Sequence, residues 1–417
     1  MKISELRDQV DALYRRNRQQ GSAPWCGLDY DFVCPSSGTY PFQWFWDSCF
    51  HAIVLTHIDV QRAAMEIVSL LSNQSPDGLV SHVTFWQRER YEEMLKTYSI
   101  AYRTPYLSDC IQPPLLAEAV AAIARAGAGL AFVRLILPKV RRYYDWLDRV
   151  RDPDRDGLIA VLQADETGLD HTPKFDEYLG ATICTAEDLT RAWHRVADPY
   201  LEVGRDPEKM FALDRFVVED VMVNTIYAEN QRVLGDLHDA IGDLAGATEM
   251  WERARRTTSA LVEKCLDPET GLFHDLAGLG ERRLTTRTFT CLFPMMLQGL
   301  PAGLAEKMAR HIEDPATFAA AWPVPTVAMD EPSFCPTWQP GSLVFRGTTW
   351  INVNWYLARG LRRAGRPDLA LRIEDRSIEL TQRSGFREYY DPHTGEGFGA
   401  EGFSWSALVL DMLASRD

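Results

Sequence analysis

Residues 114–149 read PLLAEAVAAIARAGAGLAFVRLILPKVRRYYDWLDR and decide the fold class. Apolar residues recur in this stretch at the spacing of one face of an α-helix. Ala126 and Gly127 interrupt the pattern, so the stretch predicts two helices joined by a short turn. Short connections favour antiparallel neighbours that pack side by side. The stretch therefore predicts an all-α protein built from paired helices.

Helical spacing of apolar residues recurs along the whole chain and predicts about a dozen helices. Aromatic and polar residues fall largely in the longer connections. This distribution is typical of a barrel with an inner and an outer ring of helices, whose loops gather at one mouth. Because no long linker interrupts the series, we predict one domain over residues 1–417; a helical protein of two domains is the alternative. The predicted helices span residues 2–19, 45–57, 59–73, 114–126, 129–149, 185–197, 217–241, 244–264, 286–298, 302–312, 346–364, 366–383 and 402–414.

Composition places the chain among ordinary globular proteins. Of its 417 residues, 46% are hydrophobic and 25% are charged, and 59 acidic against 44 basic residues give a formal charge of -15. This charge repels phosphate backbones and anionic lipid heads, so neither nucleic acid nor a membrane is an expected partner. Residues 1–20 lack the apolar core of a signal peptide, and no later run approaches the roughly 20 apolar residues that span a bilayer. We expect a soluble, cytoplasmic protein.

The first segment with chemical content, residues 40–48, reads YPFQWFWDS. Core packing can account for one or two of its rings, but a crowd of rings beside Asp47 is more typical of a sugar-binding surface. Aromatic faces stack on the C–H faces of sugars, and a carboxylate accepts hydrogen bonds from paired hydroxyls. Tyr40, Trp44, Trp46 and Asp47 are therefore candidate sugar ligands; core packing with an acid at a helix N-terminus is the alternative.

The second segment, residues 163–173, reads QADETGLDHTP and holds the carboxylates Asp165, Glu166 and Asp170. Such density in a glycine-containing turn disfavours simultaneous ionisation, so one group can keep its proton near neutral pH. A general acid needs that property. A solvated acidic turn is the alternative.

The third segment, residues 345–355, reads FRGTTWINVNW. Arg346, Trp350 and Asn354 lie four positions apart and are predicted to share one helix face. An inner barrel helix that points arginine and asparagine into a pocket has this pattern; an amphipathic packing helix is the alternative.

The fourth segment, residues 387–405, reads REYYDPHTGEGFGAEGFSW and combines four glycines with Glu388, Glu396 and Glu401. The glycines predict a flexible acidic loop that enters the last helix. Three glutamates compete for a catalytic role, and a solvated surface loop is the alternative.

A basic segment, residues 81–91, reads SHVTFWQRERY and stands out in an acidic protein. It predicts a lid in which His82 and Tyr91, together with Arg88 and Arg90, contact an anionic group. A solvated charged loop is the alternative.

Residues 152–157 read DPDRDG and match the first half of a calcium-binding loop. The twelfth position of that loop is Gln163 instead of a bidentate glutamate, so the segment predicts a plain turn. The eight cysteines lack the close spacing of a structural zinc site, and we expect reduced, mostly buried thiols.

Together and in this order, these segments resemble glycoside hydrolase family 63 and its relatives the trehalases. The resemblance runs from about Phe42 to Trp405 and implies an (α/α)6 barrel with long loops at one mouth and an inverting glycosidase. The matching motifs are Trp46-Asp47-Ser48, Gln112-Pro113-Pro114, Thr167-Gly168-Leu169-Asp170, Arg346-Gly347 with Trp350, Glu388-Tyr389-Tyr390 and Gly402-Phe403-Ser404-Trp405.

The resemblance also implies roles for individual residues. In the family the aspartate of the turn is the general acid and the glutamate of the late segment is the base, which points to Asp170 and Glu388. The turn departs mildly from the family pattern, since Thr167 replaces the usual serine and residues 171–173 read HTP where Asn-Ser-Pro is common. The implied substrate-binding residues are Tyr40, Trp44, Trp46, Asp47, His82, Tyr91, Gln112, Arg346, Trp350, Tyr389 and Trp405.

The chain has no room for the β-rich domain of larger family members and looks like the bacterial mannosylglycerate and glucosylglycerate hydrolases. We therefore expect inverting hydrolysis of a small glyceryl glycoside, and the carboxylate of glycerate would give residues 81–91 a ligand. A trehalase-like enzyme or an α-glucosidase is the alternative substrate assignment. Two alternatives to a hydrolase remain. A sugar epimerase on a helical barrel would need paired histidines in its pocket, and a sugar-binding protein on the same barrel would bind its ligand without hydrolysing it. No metal or organic cofactor is expected, and the chain could form a homo-oligomer.

Overall fold

The computed structural model describes residues 2–92, 104–180, 185–337 and 343–416. These residues are mostly helical, which confirms the predicted fold class at that level. They form two compact units, the first comprising Met1–Val150, Asn230–Ala254 and Gly402–Asp417, and the second Arg151–Glu229 and Arg255–Glu401. The single domain over residues 1–417 stays a prediction.

The described helices and strands are numbered in chain order. The α-helices with described bounds are α1 Ile3–Asn17, α2 Phe45–Leu55, α3 Val60–Ser72, α4 Leu116–Ile123, α5 Gly129–Val150, α6 Ala186–Glu202, α7 Pro207–Leu213, α8 Val221–Ala240, α9 Leu244–Ala260, α10 Leu304–Glu313, α11 Ile351–Arg363, α12 Pro367–Ser384 and α13 Leu408–Ala414. The strands are β1 Arg18–Ala23, β2 Leu28–Val33, β3 Gln43–Trp44, β4 Val83–Thr84, β5 Val218–Glu219, β6 Leu276–Ala277, β7 Arg282–Arg283, β8 Arg387–Tyr390 and β9 Gly397–Glu401.

The described strands form small antiparallel sheets. Strands β1 and β2, β3 and β4, and β8 and β9 form two-stranded sheets, and β5, β6 and β7 form a three-stranded sheet in that order. The helix predicted over residues 2–19 includes the first two residues of β1, and the segment of β8 and β9 is predicted as a loop. Strand pairing between separate segments leaves little periodicity in a polar sequence such as RQQGSA, so the pattern did not reveal it.

Local sequence explains where several helices begin. The carboxylate of Asp59 accepts the N–H groups of Gln61 (2.9 Å) and Arg62 (3.2 Å), which caps the N-terminus of α3. Thr185 and Asp188 cap α6 reciprocally, each side chain accepting the backbone N–H of the other. Such caps satisfy donors that the first helical turn leaves without partners.

The break predicted between α4 and α5 is confirmed. Gly127 has φ 126 inside a π-helical turn, Ala124–Ala128, that separates the two helices. Taken as one stretch, Leu116–Val150 is long and apolar enough to cross a membrane. The stretch is not an uninterrupted apolar run, so the sequence did not reveal it. Core helices of soluble proteins meet the same criterion, so the stretch is weak evidence for a membrane.

Several predicted α-helices are wrong in part. The helix predicted over 2–19 ends where β1 begins at Arg18, and the helix predicted over 217–241 begins at Val221, after β5. Residues 286–298 contain a 3-10 helix, Phe289–Met296, with Pro294 inside it, and proline cannot donate the hydrogen bond that an α-helix needs. Residues 402–414 begin with a 3-10 turn before α13. The helix predicted over 346–364 begins only at Ile351, because Gly347 has φ 127 and Trp350 is extended.

Candidate active site

A tight turn in the second unit positions the predicted general acid. A 3-10 helix over Ala164–Thr167 ends at Gly168, whose backbone is left-handed with φ 69. The hydroxyl of Thr167 donates to the carbonyl at the start of this turn (2.7 Å) and accepts the N–H of Leu169 (3.1 Å). Leu169 is buried, whereas Asp170 is exposed. We call residues 164–170 the acid turn, because it presents Asp170 from a fixed backbone.

A buried ion pair anchors the acid turn. The guanidinium of Arg151 donates to both carboxylate oxygens of Glu166, at 2.8 and 2.6 Å. The N–H of Leu162 donates to the same carboxylate at 2.6 Å. The side chains of Arg151 and Glu166 are only 2% and 1% exposed. Glu166 is therefore a structural carboxylate, which distinguishes it from the other two acids of the segment.

Asp170 combines access to solvent with surroundings that favour its neutral form. Desolvation by the surrounding protein, reinforced by the charges of Asp165 and Glu388, raises the pKa of Asp170 to about 7. The amide of Gln163 donates to both carboxylate oxygens of Asp165, at 2.8 and 2.7 Å. Desolvation and the charge of Glu166 raise the pKa of Asp165 to about 6. A carboxyl that keeps its proton near neutral pH suits a general acid.

The raised pKa of Asp170 predicts the alkaline side of the pH profile. Since a general acid works only when protonated, kcat/KM should fall as pH rises through about 7. Asp165→Asn removes a neighbouring negative charge, so the pKa of Asp170 should fall and the decline should begin at lower pH. Both profiles can be measured between about pH 5 and 9. An alkaline limb that does not move in the variant would contradict this electrostatic coupling.

Glu388 lies in strand β8, opposite a bulge in β9. The residues that flank Glu388 pair with Phe398 and Glu401, so two residues of β9, Gly399 and Ala400, face it. The N–H of Ala400 donates to Oε2 of Glu388 at 2.8 Å. The segment predicted as a flexible loop is therefore a hairpin that holds the carboxylate by a backbone hydrogen bond.

The environments of the three candidate glutamates differ. The charge of Glu388 contributes to the raised pKa of Asp170. Glu401 instead pairs with Arg387 at 2.8 Å, and its side chain is 79% exposed. Glu396 is also exposed. This difference favours Glu388 as the partner of Asp170, and its role as base stays a prediction.

Trp350 and Tyr389, both predicted to bind substrate, are buried in an aromatic stack. The ring of Trp350 stacks on Phe345, with centroids 4.0 Å apart, and on Tyr389, with centroids 5.0 Å apart. The indole N–H of Trp350 donates to the hydroxyl of Thr348 at 2.8 Å. The stack supports strand β8 next to Glu388. Direct sugar contact by Trp350 and Tyr389 stays a prediction.

Arg346 is buried and bound by protein groups. Two of its guanidinium nitrogens donate to Asp176, at 2.6 and 2.8 Å, and Nε donates to the carbonyl of His171 at 2.9 Å. The N–H of Val344 donates to Nδ1 of His171 at 3.0 Å, and burial together with Arg346 lowers the pKa of His171 to about 4. Arg346, Trp350 and Asn354 do not share a helix face, because α11 begins after Trp350. Arg346 thus holds the segment that follows Asp170.

In the first unit, the start of α2 brings four predicted ligands together. The backbone N–H of Trp46 donates to Oε1 of Gln112 at 3.1 Å. The ring of Trp46 meets that of Trp405 edge to face, with centroids 5.5 Å apart. Asp47, the next residue along α2, is buried. The geometry therefore groups Trp46, Asp47, Gln112 and Trp405, and their contact with substrate stays a prediction.

Trp44 and His82 form a second group in this unit. Their ring centroids lie 5.4 Å apart, and Nδ1 of His82 lies 2.5 Å from the hydroxyl of Ser108. Within the described ranges, the buried indole N–H of Trp44 has no hydrogen-bond partner. A buried donor of this kind suits a ligand hydroxyl, as the sequence predicts for Trp44.

Tyr91 and Tyr40 pack against different neighbours. Tyr91 contacts Phe85, with ring centroids 5.4 Å apart, in the apolar cluster that Trp44 also borders. Tyr40 meets Phe403 edge to face, with centroids 6.0 Å apart. Tyr91 and Trp44 thus pack against the same apolar cluster, and the predicted ligand roles of both tyrosines stay predictions.

The aspartate-rich turn belongs to an acidic cluster of the second unit. Carboxylate oxygens of Asp154, Asp156, Glu219 and Glu281 lie within 4.8 Å of one another, a spacing that could hold a metal ion. The ammonium of Lys264 contacts Asp156 and, at 2.7 Å, Glu281. A lysine therefore already balances part of the negative charge.

Sequence reasoning missed a buried charge cluster shortly after the acid turn. The ammonium of Lys174 contacts Asp220 and, at 3.1 Å, Asp275. Desolvation opposes its charge, yet the two carboxylates raise the pKa of Lys174 above its ordinary value. Asp275 also accepts the N–H of Val221 at the start of α8, at 2.7 Å. The sequence signal that could have revealed this cluster is a lysine between proline and phenylalanine, Pro173-Lys174-Phe175, because a buried cation needs charged partners.

Comparison with known proteins decides the family. The family model of the mannosylglycerate hydrolase MGH1-like glycoside hydrolase domain matches residues 40–406. The chain belongs to this family. It is therefore a glycoside hydrolase, and the resemblance to family 63 is confirmed.

Members of known activity match almost the whole chain. A mannosylglycerate hydrolase of Thermus thermophilus is 31% identical to this chain, and the match covers 91% of this chain and 95% of the relative. The glucosylglycerate hydrolase of Mycolicibacterium hassiacum is 27% identical, and that match covers 90% of this chain and 92% of the relative. A similar solved structure is that of a family 63 mannosylglycerate hydrolase from a second strain of Thermus thermophilus, in complex with Tris and D-glycerate. It matches with a TM-score of 0.84 at 30% identity, over 99% of this chain and 100% of that one.

Proposed function

We propose that this glycoside hydrolase cleaves a glyceryl glycoside, mannosylglycerate or glucosylglycerate, and releases the sugar and glycerate. Relatives named for one or the other of these activities match it at 31% and 27% identity and along most of its length. The D-glycerate in the related Thermus structure is the product that this reaction would leave. We also propose that its helices form an (α/α)6 barrel, which the helical content and the likeness to family 63 structures support.

The observation that carries the mechanism is a protonatable aspartate coupled to a glutamate. Asp170, whose pKa is raised to about 7 by desolvation and by the charges of Asp165 and Glu388, would protonate the glycosidic oxygen as its bond to the sugar breaks. Glu388 would deprotonate a water that attacks the opposite face of the sugar. In an inverting enzyme the two carboxyl groups stand roughly 6.5 to 9.5 Å apart, which leaves room for that water.

Neighbouring residues hold the backbone around both carboxylates in place, which supports this mechanism. Arg151 and Glu166 anchor the acid turn from the buried side, and Arg346 binds the segment after it. The aromatic stack and the N–H of Ala400 hold Glu388. Groups that are already in place lower the cost of reaching the transition state.

A substrate panel with detection of the first-formed anomer tests the proposal. The enzyme is incubated with mannosylglycerate, glucosylglycerate, trehalose and kojibiose, and proton NMR follows the anomeric signals. We expect one or both glyceryl glycosides to be hydrolysed with initial release of the β-anomer. Hydrolysis of trehalose or kojibiose in preference to both glyceryl substrates would refute the substrate assignment. Initial release of the α-anomer would refute the inverting mechanism.

A further inference from the structure

The bulge in strand β9 places backbone against the side chain of Glu388. A regular antiparallel ladder sets one residue opposite another, but Gly399 and Ala400 together face Glu388. The extra residue brings the N–H of Ala400 to 2.8 Å from Oε2 of Glu388. The backbone of β9 thus contacts the group that carries the chemistry.

Gly399 leaves no space for a side chain at this bulge. A Cβ atom there would lie 2.5 Å from Oε2 of Glu388, 2.8 Å from its Cβ and 2.7 Å from Cε1 of Tyr389. Atoms that close must shift, and φ at Gly399 is +68, a conformation that residues other than glycine adopt at a cost. Tyr389 is held in the stack with Trp350, so Glu388 would have to shift at its Cβ atom and carry its carboxylate with it.

We propose that Gly399 and Ala400 are positioning residues for Glu388: the glycine gives the carboxylate its space, and the following N–H fixes one of its oxygens. This inference rests on the proposed function, in which Glu388 is the base. Neither residue touches substrate in this role. Their effect passes through the orientation and the ionisation of Glu388.

Two physical effects follow from this contact. A hydrogen bond from a backbone N–H favours the ionised form of a carboxylate, which is the form that a base needs. The bond also fixes the carboxylate relative to the attacking water, and a misplacement of about 1 Å can cost about a hundredfold in rate. Loss of the contact should therefore lower kcat and move the acidic limb of the pH profile together.

The test compares Gly399→Ala with Gly385→Ala. Gly385 also has positive φ, +76, and ends helix α12 just before strand β8, but a Cβ atom there would meet nothing within 4 Å. Both variants place a side chain on backbone with positive φ, and only Gly399→Ala also crowds Glu388. The measurements are kcat, KM, the pH dependence of kcat/KM and the thermal unfolding midpoint, with whichever glycoside the wild type hydrolyses.

We expect Gly399→Ala to lower kcat by about a hundredfold with little change in KM, and its acidic limb to move to higher pH. Gly385→Ala should lose no more than about threefold in kcat, even though its backbone (φ 76, ψ -178) favours glycine strongly and its unfolding midpoint should fall at least as far. Equal kcat values and unshifted limbs in the two variants would overturn the inference. If Gly399→Ala does not fold, Gly399→Asn takes its place, because asparagine tolerates left-handed backbone and still adds the Cβ atom.

These outcomes separate the inference from the proposed function. A wild-type enzyme that ignores both glyceryl glycosides contradicts the function, while the comparison of the two glycine variants proceeds on the substrate that it does hydrolyse. A wild type active on a glyceryl glycoside, with equal kcat in the two variants, overturns the inference alone.

Discussion

Asp170→Asn and Glu388→Gln should each lower kcat by about 10²- to 10⁴-fold and leave KM little changed. Both replacements keep the size and polarity of the side chain. Asparagine has no acidic proton to give to the glycosidic oxygen, and glutamine cannot take a proton from water. Since both transfers belong to the transition state and not to substrate binding, the loss should fall on kcat. Steady-state kinetics on the best substrate of the panel measures it.

An activated substrate separates the two roles. Fluoride leaves a glycosyl fluoride without much help from an acid, so Asp170→Asn should recover much of its rate on that substrate, whereas Glu388→Gln should not. Glu401→Gln is the matched control, because Glu401 lies in the same hairpin, exposed and paired with Arg387. Near-normal turnover of the natural glycoside by either main variant would refute the assignment. A large loss in Glu401→Gln would move the base to that residue.

The second large effect concerns stability. Arg151→Met should lower the free energy of unfolding by about 3–5 kcal/mol, because it leaves the carboxylate of Glu166 buried without its cation. Both side chains are almost fully inaccessible, 2% and 1% exposed, so water cannot replace the lost partner. Urea-induced unfolding at fixed pH measures the change. The anchored acid turn should loosen with it, so kcat should also fall in the variant that remains folded.

An exposed ion pair in the same unit supplies the control for this measurement. Arg191, whose side chain is 60% exposed, pairs with Glu187 at 2.7 Å and with Asp188 at 2.5 Å. Because water reaches all three groups, Arg191→Met should cost no more than about 1 kcal/mol. Adding Glu166→Gln to Arg151→Met should recover part of the stability, because the remaining buried group is then neutral. If Arg151→Met and Arg191→Met cost the same, the pair at Glu166 is not the anchor described.

Helix content was predictable wherever one apolar face continued without interruption. The bounds predicted for α2, α3, α5 and α12 agree with the structure to within two residues, since each rests on local spacing alone. The start of α11 was not predictable, because it depends on the positive φ of Gly347, and glycine also occurs inside helices. The pairing of β3 with β4 depends on a partner distant in sequence, and that of β8 with β9 on a bulge, which a single pattern does not encode.

The residues of the candidate site were also predictable only in part. Clustered carboxylates suggested an acid in residues 163–173, but the separate roles of Asp165, Glu166 and Asp170 follow from burial and from Arg151, whose partner the sequence does not specify. The choice of Glu388 came from the family resemblance, and the structure adds the backbone contact that supports it. The sequence predicts Arg346 as a sugar ligand, and nothing in it reveals Asp176 as the ion-pair partner of that arginine.

The bulge in β9 also limits how this hairpin can vary in length. Turns at the surface of enzymes usually accept insertions and deletions, and removing one residue here would produce a more regular ladder. That shorter hairpin would pair regularly, but it would lose the space at Gly399 and the N–H group of Ala400 that contact Glu388. With Glu388 as the proposed base, the spacing between Phe398 and Glu401 belongs to the proposed catalytic apparatus, although neither intervening residue has a reactive side chain.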